Sequence, residues 1–156
     1  LVFSTVHTND TPSAFTRLLD LGVEEFLLNA ALISVIAQRL VRKLCVNCCA
    51  PIIDCEAAID EYNLRQLADR LSTPELALMS SVGCEQCGHT GFNGRIAIVE
   101  YLQCDDYLRT IPKDDQFLVR ANEYQRSKGG RTLLEDGLLR ALKGSTTVEE
   151  VFRVCG

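Results

Sequence analysis

Only two histidines, His7 and His89, occur in 156 residues, which leaves little room for chemistry built on several imidazoles. Neither G-x-x-x-x-G-K-[ST] nor G-x-G-x-x-G is present, so the phosphate cradles those glycine loops form are missing from these residues. Gly129-Gly130-Arg131-Thr132 imitates one only superficially, without the first glycine, the spacing or the lysine. There is no nucleophile elbow and no H-E-x-x-H. Positive charge is not in excess: 16 basic against 21 acidic side chains give −5, which argues against a general binder of nucleic acid or anionic membranes. No apolar run reaches the roughly 18 residues of a transmembrane helix. No charged stretch with a cleavage site precedes the first apolar run, so no signal peptide is expected. Internal repeats and low-complexity tracts are lacking as well.

What remains is a chain able to build a core. Apolar residues make up 47%, and the mean hydropathy is +0.06. The length suits one ordinary domain of roughly 100–200 residues. Leu1 stands where a start methionine would, inside an apolar β-branched run, and we expect a piece of a longer protein.

Residues 1–6 read as a strand buried on both faces, as in a parallel sheet. A polar loop, 7–11, leads to Pro12, which suits the first turn of a helix. Phe15, Leu18 and Leu19 give that helix an apolar face, and Gly22 is its stop. Glu24 and Glu25 open a second helix. Residues 26–37 are apolar nearly all round and predict a deeply buried helix; 38–44 extend it or form a strand. Further on, Leu64, Leu67, Ala68 and Leu71 mark an amphipathic helix, and 72–75 a break with a new helix start. Residues 95–102 read as a strand entered through the turn 91–94. The remainder is helical. Leu134, Leu138, Ala141 and Leu142 share a face, Gly144 ends that helix, and Thr146-x-x-Glu149 reads as a capping box for the last, whose face is Val148, Val151 and Phe152.

The eight cysteines carry the strongest signal. Cys45-x-x-Cys48 and Cys84-x-x-Cys87 each let two thiols reach one ion from a tight turn, and together they match a closed tetrahedral structural zinc site. The 35 residues between the pairs are long for a zinc ribbon but enough for a small helical subdomain. Buried free cysteines, or a knuckle that has lost its metal, are the alternative. A thioredoxin-like role needs a C-x-x-C opening a helix in a βαβ setting, and neither pair sits there. All the net charge falls in residues 45–91, which carry two basic and seven acidic side chains, so a nucleic-acid ribbon is disfavoured. Cys49, Cys55 and His89 are possible substitute ligands, with Cys49 better placed to pack beside the site. Cys104 and Cys155 read as core or helix-face residues. His7 is the second signal. It follows the carboxyl end of the first expected strand, where open α/β sheets bind ligands, among Thr5, Thr8, Asn9 and Asp10. By position alone, a satisfied structural histidine is the commoner case.

The run Leu-Val-Phe-Ser-Thr-Val-His-Thr-Asn-Asp at 1–10 closely resembles the histidine box of the ATPases of type II secretion and type IV pilus assembly. The resemblance continues through 16–23, 37–45, 83–95 and 146–151, with the first 45 residues nearer the type II members. It implies the C-terminal portion of a RecA-like P-loop ATPase domain, an α/β fold, with an inserted four-cysteine zinc subdomain and a helical C-terminal subdomain. The segments would be 1–44, 45–91 and 92–156, with 38–44 pairing with 95–102. It further implies ATP and Mg²⁺ as ligands of the full-length protein, and a hexameric ring on the cytoplasmic face of the inner membrane. The ring would be docked to secretion or pilus platform proteins and bind no nucleic acid. His7 matches the residue at the γ-phosphate side, with Thr5 and Thr8 beside it, and the four cysteines match the zinc ligands. Asn93 and the 96–98 wording depart from the usual pattern. The phosphate loop, the acidic magnesium strand and the arginines that reach a neighbour's nucleotide all lie ahead of the histidine box, so the chain alone is expected to be inactive. A stand-alone zinc-stabilised interaction module is the alternative function.

Overall fold

A computed structural model describes every residue except Leu71 and residues 73–75. Two compact units emerge, each made of two chain segments: Leu1–Ala37 with Val99–Thr132, and Gln38–Ile98 with Leu133–Gly156.

In the first unit, residues 1–8 have no regular structure. The strand expected at 1–6 is not there; Leu1 is 92% and Phe3 89% exposed. A strand needs a neighbour's N–H and C=O groups to pair with, and none of the described strands offers them to this run. Helix α1 (Ser13–Asp20) starts where Asp10 Oδ1 accepts the Ser13 N–H at 2.8 Å. It stops at Gly22, whose φ of +87° permits a Schellman closure: Gly22 N–H to Leu19 O at 2.8 Å and Val23 N–H to Leu18 O at 3.1 Å. Helix α2 (Glu25–Ala31) is short, and strand β1 (Ser34–Leu44) follows, its first four residues in this unit and the rest in the second.

The buried helix expected over 26–37 is therefore overturned. Only Leu28 of α2 is buried, and Phe26 is 77% exposed. The β-branched residues Ile33, Val35 and Ile36 tip the run into a strand, because β1 can pair with β4 (Phe92–Gln103). That pairing is the one the resemblance implied for 38–44 and 95–102. Helices α5 (Asp106–Thr110) and α6 (Phe117–Ser127) complete the unit. Its core joins Phe15, Leu28, Leu102, Leu108, Phe117 and Ala121, with the Phe15 and Phe117 rings 5.2 Å apart and tilted.

The second unit contains a minimal antiparallel pair, β2 (Ala50–Pro51) with β3 (Met79–Ser80). Around it lie α3 (Glu56–Glu61), α4 (Leu64–Arg70), α7 (Leu133–Leu142) and α8 (Val148–Cys155). Ile59, Leu64 and Leu67 from α3 and α4 share one core with Leu138, Leu142 and Val151 from α7 and α8. The Leu71 position of the expected α4 face, and residues 73–75 of the expected break, lie outside the described residues. Gly144, at φ +66°, ends α7 as read from sequence. The last cap sits one residue later than expected: Thr147, not Thr146, accepts the Glu150 N–H at 3.2 Å. Thr146 instead donates its hydroxyl to the Arg42 carbonyl at 2.8 Å.

Gly137 lies inside α7, where glycine ordinarily weakens a helix. A Cβ there would sit 2.6 Å from Val151 Cγ1, a side chain with no exposed surface. The missing side chain is what lets α7 and α8 approach. We expect Gly137→Ala to lower stability by about 1 kcal/mol, because overpacking outweighs the propensity gain. Thermal melting checks this, and a raised midpoint would contradict the close approach.

Candidate functional site

The four cysteines converge. All four sulfurs of Cys45, Cys48, Cys84 and Cys87 lie within 4.8 Å of one another. Individual separations are 4.0 Å (Cys45–Cys84), 3.9 Å (Cys48–Cys87) and 3.8 Å (Cys84–Cys87). Four sulfurs around one ion at about 2.3 Å would stand roughly 3.8 Å apart, so the cage already has the size of a tetrahedral thiolate site.

Backbone turns place these thiols. Cys45 leaves the end of β1, its N–H held by Gly91 O at 2.9 Å. Cys48 returns in a tight turn, its N–H donating to Cys45 O at 3.2 Å. On the other side, residues Glu85–Cys87 form one 3₁₀ turn between Cys84 and Gly88. Three backbone N–H groups point at sulfur: Gly83 at Cys48 (3.3 Å), Cys84 at Cys87 (3.2 Å) and Gly91 at Cys87 (3.3 Å). Such donors favour thiolate. The Cys84 and Gly91 N–H groups draw the Cys87 thiol down to about 6, while burial pushes Cys48 up to about 12. Four sulfurs gathered at this spacing, with backbone N–H groups aimed at two of them, form a donor set that fits a closed structural centre.

Sequence spacing picked out the four cysteines that converge but missed the groups packed around them. Gly91 has φ +76°, and a Cβ would meet Ser81 Cβ at 2.5 Å, so only glycine fits. Asn47 and Gln86 hydrogen-bond across the two turns. Among the described residues Cys49, Cys55 and His89 are not in the cage. Cys49 sits beside it, its N–H on Cys45 O at 2.9 Å, and Cys55 packs against the core with α3 and α4. Cys104 is buried in the first unit's core, and Cys155 packs against the second's.

His7 is exposed, in the irregular segment before α1. Thr5 is exposed too, and Thr8 is half-buried with its hydroxyl on the Asp10 carbonyl at 3.1 Å. These three residues share one segment, but here no strand end presents them.

The family model for "Type II/IV secretion system protein" matches residues 1–153. The chain belongs to the type II/IV secretion system protein family. It is 46% identical over 154 residues to a protein of Thermus thermophilus named type IV pilus assembly ATPase PilB, covering 97% of this chain and 16% of that protein. It is 39% identical over 154 residues to the type II secretion system protein E of Aeromonas hydrophila, covering 99% of this chain and 29% of that one. The type II secretion system ATPase E of Vibrio cholerae is 39% identical over 158 residues, at 99% and 29% coverage. The chain thus spans less than a third of the length of these relatives. Both kinds of system are represented among them. No helix among the described residues is long and apolar enough to cross a membrane.

Proposed function

We propose that this chain is the C-terminal part of a RecA-like ATPase that powers type II secretion by pseudopilus assembly, the counterpart of type IV pilus assembly. The family match over residues 1–153 carries the secretion or pilus ATPase class, the wording of the first 45 residues favours type II within it, and the four-cysteine cage supports the inserted metal subdomain. Residues 1–44 end the ATPase domain, 45–91 hold a structural zinc, and 92–156 supply β4 and the C-terminal helices, of which α5 and α6 pack in the first unit and α7 and α8 in the second. Zinc is preferred because it takes four thiolates tetrahedrally and needs no open position to stabilise a fold.

In the whole protein, working as a hexameric ring at the cytoplasmic face of the inner membrane, platform proteins would receive the mechanical output. Phosphoryl transfer to water is mostly positioning and charge stabilisation, with Mg²⁺ supplying charge neutralisation. The contribution of these residues is His7, whose imidazole orients or senses at the γ-phosphate side, with the Thr5 hydroxyl as a hydrogen-bond donor beside it and the Thr8 oxygen, its proton on the Asp10 carbonyl, as an acceptor.

Turnover by the protein of the complete reading frame tests this. We expect Mg²⁺-dependent ATP hydrolysis there, at least 10-fold slower with His7→Ala, the scale of losing one transition-state contact. Residues 1–156 alone should give none. Hydrolysis by residues 1–156 that His7→Ala abolishes would overturn the assignment of the phosphate cradle to another segment. A complete reading frame with neither phosphate loop nor turnover would leave the zinc-stabilised interaction module.

A further inference from the structure

The segment that carries His7 is fixed to the fold at Thr11. This residue has no exposed surface, and both of its donors reach one acceptor. Its main-chain N–H lies 2.9 Å, and its hydroxyl 2.5 Å, from Oε1 of Glu100. Glu100, on β4, is 1% exposed. Strand alternation turns Ile98, Glu100 and Leu102 inward while Val99 and Tyr101 face out. An apolar side chain is the ordinary occupant of such an inward position. A carboxylate there costs desolvation and persists where its hydrogen bonds are needed.

Two donors on one oxygen fix more than a distance. The N–H and the hydroxyl leave Thr11 in different directions, so together they set its rotation and the direction in which the preceding chain departs. That chain is itself tied into a turn. The Thr8 hydroxyl donates to Asp10 O at 3.1 Å, and Asp10 Oδ1 accepts the Ser13 N–H at 2.8 Å. His7 stands at the outer end of this turn, exposed.

We infer that Glu100 is a positioning residue for the histidine segment: by holding Thr11 at both donors it aims His7 at the nucleotide phosphates. This rests on the role proposed for His7 above. An error of about 1 Å in placing a reacting group can cost on the order of 100-fold in rate.

The test uses the protein of the complete reading frame, with ATP as the probe. Glu100→Leu should lower kcat by roughly 10- to 100-fold with KM nearly unchanged. Glu100→Gln should retain most activity, since its amide oxygen accepts both donors. Thr11→Val, which deletes only the hydroxyl, should show a smaller loss and keeps the test alive if Glu100→Leu does not fold. The deciding measurement combines these with His7→Ala. If Glu100 acts through His7, Glu100→Leu or Thr11→Val adds almost nothing once His7 is gone. The same fold-loss in both backgrounds would make the contact merely structural and overturn the inference. Wild-type turnover by His7→Ala would sink the role of His7 itself; a slow His7→Ala with a fully active Glu100→Leu would sink only this inference.

Discussion

A chelator that strips the metal proposed for the four-cysteine cage should release residues 45–52 and 79–91 to nearly free amide exchange, while α3 and α4 keep most of their protection. The two groups differ in what holds them. The cage segments have a ladder of two residues per strand, and Val46 and Val82 beside them are exposed. Little apolar surface is buried there to offset the entropy of ordering the turns. A metal held by the four cysteines would supply what is missing, on the order of 10 kcal/mol of apparent folding free energy for a structural zinc. Ile59, Leu64, Leu67 and Ala68, by contrast, lie in the same core as Leu138, Ala141, Leu142, Val148 and Val151. Their burial does not depend on thiolates. Hydrogen exchange with mass spectrometry before and after chelation reads both groups in one experiment, and native mass spectrometry counts the ion. Cys84→Ser should reproduce the chelated pattern. An unchanged exchange map, or a purified protein with no bound metal and full protection at 79–91, would remove the metal from the account of this fold.

The cysteine pairs were legible because their chemistry is local: two residues between thiols is a property of one turn, and two such turns need only meet once. Helices α7 and α8 were legible for a similar reason, since period and stop signals lie within the element. The cap of α8 slipped by one because Thr146-Thr147 and Glu149-Glu150 offer the box in two registers; only the demand of the Arg42 carbonyl for the Thr146 hydroxyl decides between them. Residues 26–37 were misread because a continuous apolar run has no period to separate helix from strand. Pairing with β4, far along the chain, settled it. The strand expected at 1–6 shows the converse: good composition for a strand does not form one without a ladder partner. Least legible were the buried carboxylates. Glu100 meets Thr11 across 89 positions, and Glu150 meets Arg42 across 108, and nothing near either glutamate announces the partner.

Glu150 is the basis for the second large effect: Glu150→Gln should destabilise the second unit by about 2–3 kcal/mol at neutral pH, with much less penalty near pH 2. The side chain is fully buried and accepts five hydrogen bonds. Arg153 donates at 2.7 and 2.6 Å; Arg42 donates from its guanidinium at 2.9 and 2.7 Å and from its main-chain N–H at 2.9 Å. These bonds, Arg153 first, hold the carboxyl down to about 2 from an ordinary value of 4.5. A depressed carboxylate stabilises the fold fully above its unfolded value. That contribution drains away as pH falls from about 4.5 toward 2, where protonation cancels the charge in both states. The two guanidiniums remain 43% and 57% exposed, so water can solvate them after the substitution. The cost therefore falls below the 3–5 kcal/mol typical of stranding a fully buried charge. What cannot be resolvated so readily is the Arg42 main chain, three residues before Cys45, where the guanidinium also lies over the Phe92 ring at 4.1 Å. Denaturant melts of both proteins at pH 7, 4 and 2.5 separate the contributions. A gap between them that stays constant with pH would show that the loss is one of shape and packing, and that the ion pairs add nothing. A gap that closes on acidification locates the stabilisation in the carboxylate, which ties α8 to the strand end from which Cys45 and Cys48 depart.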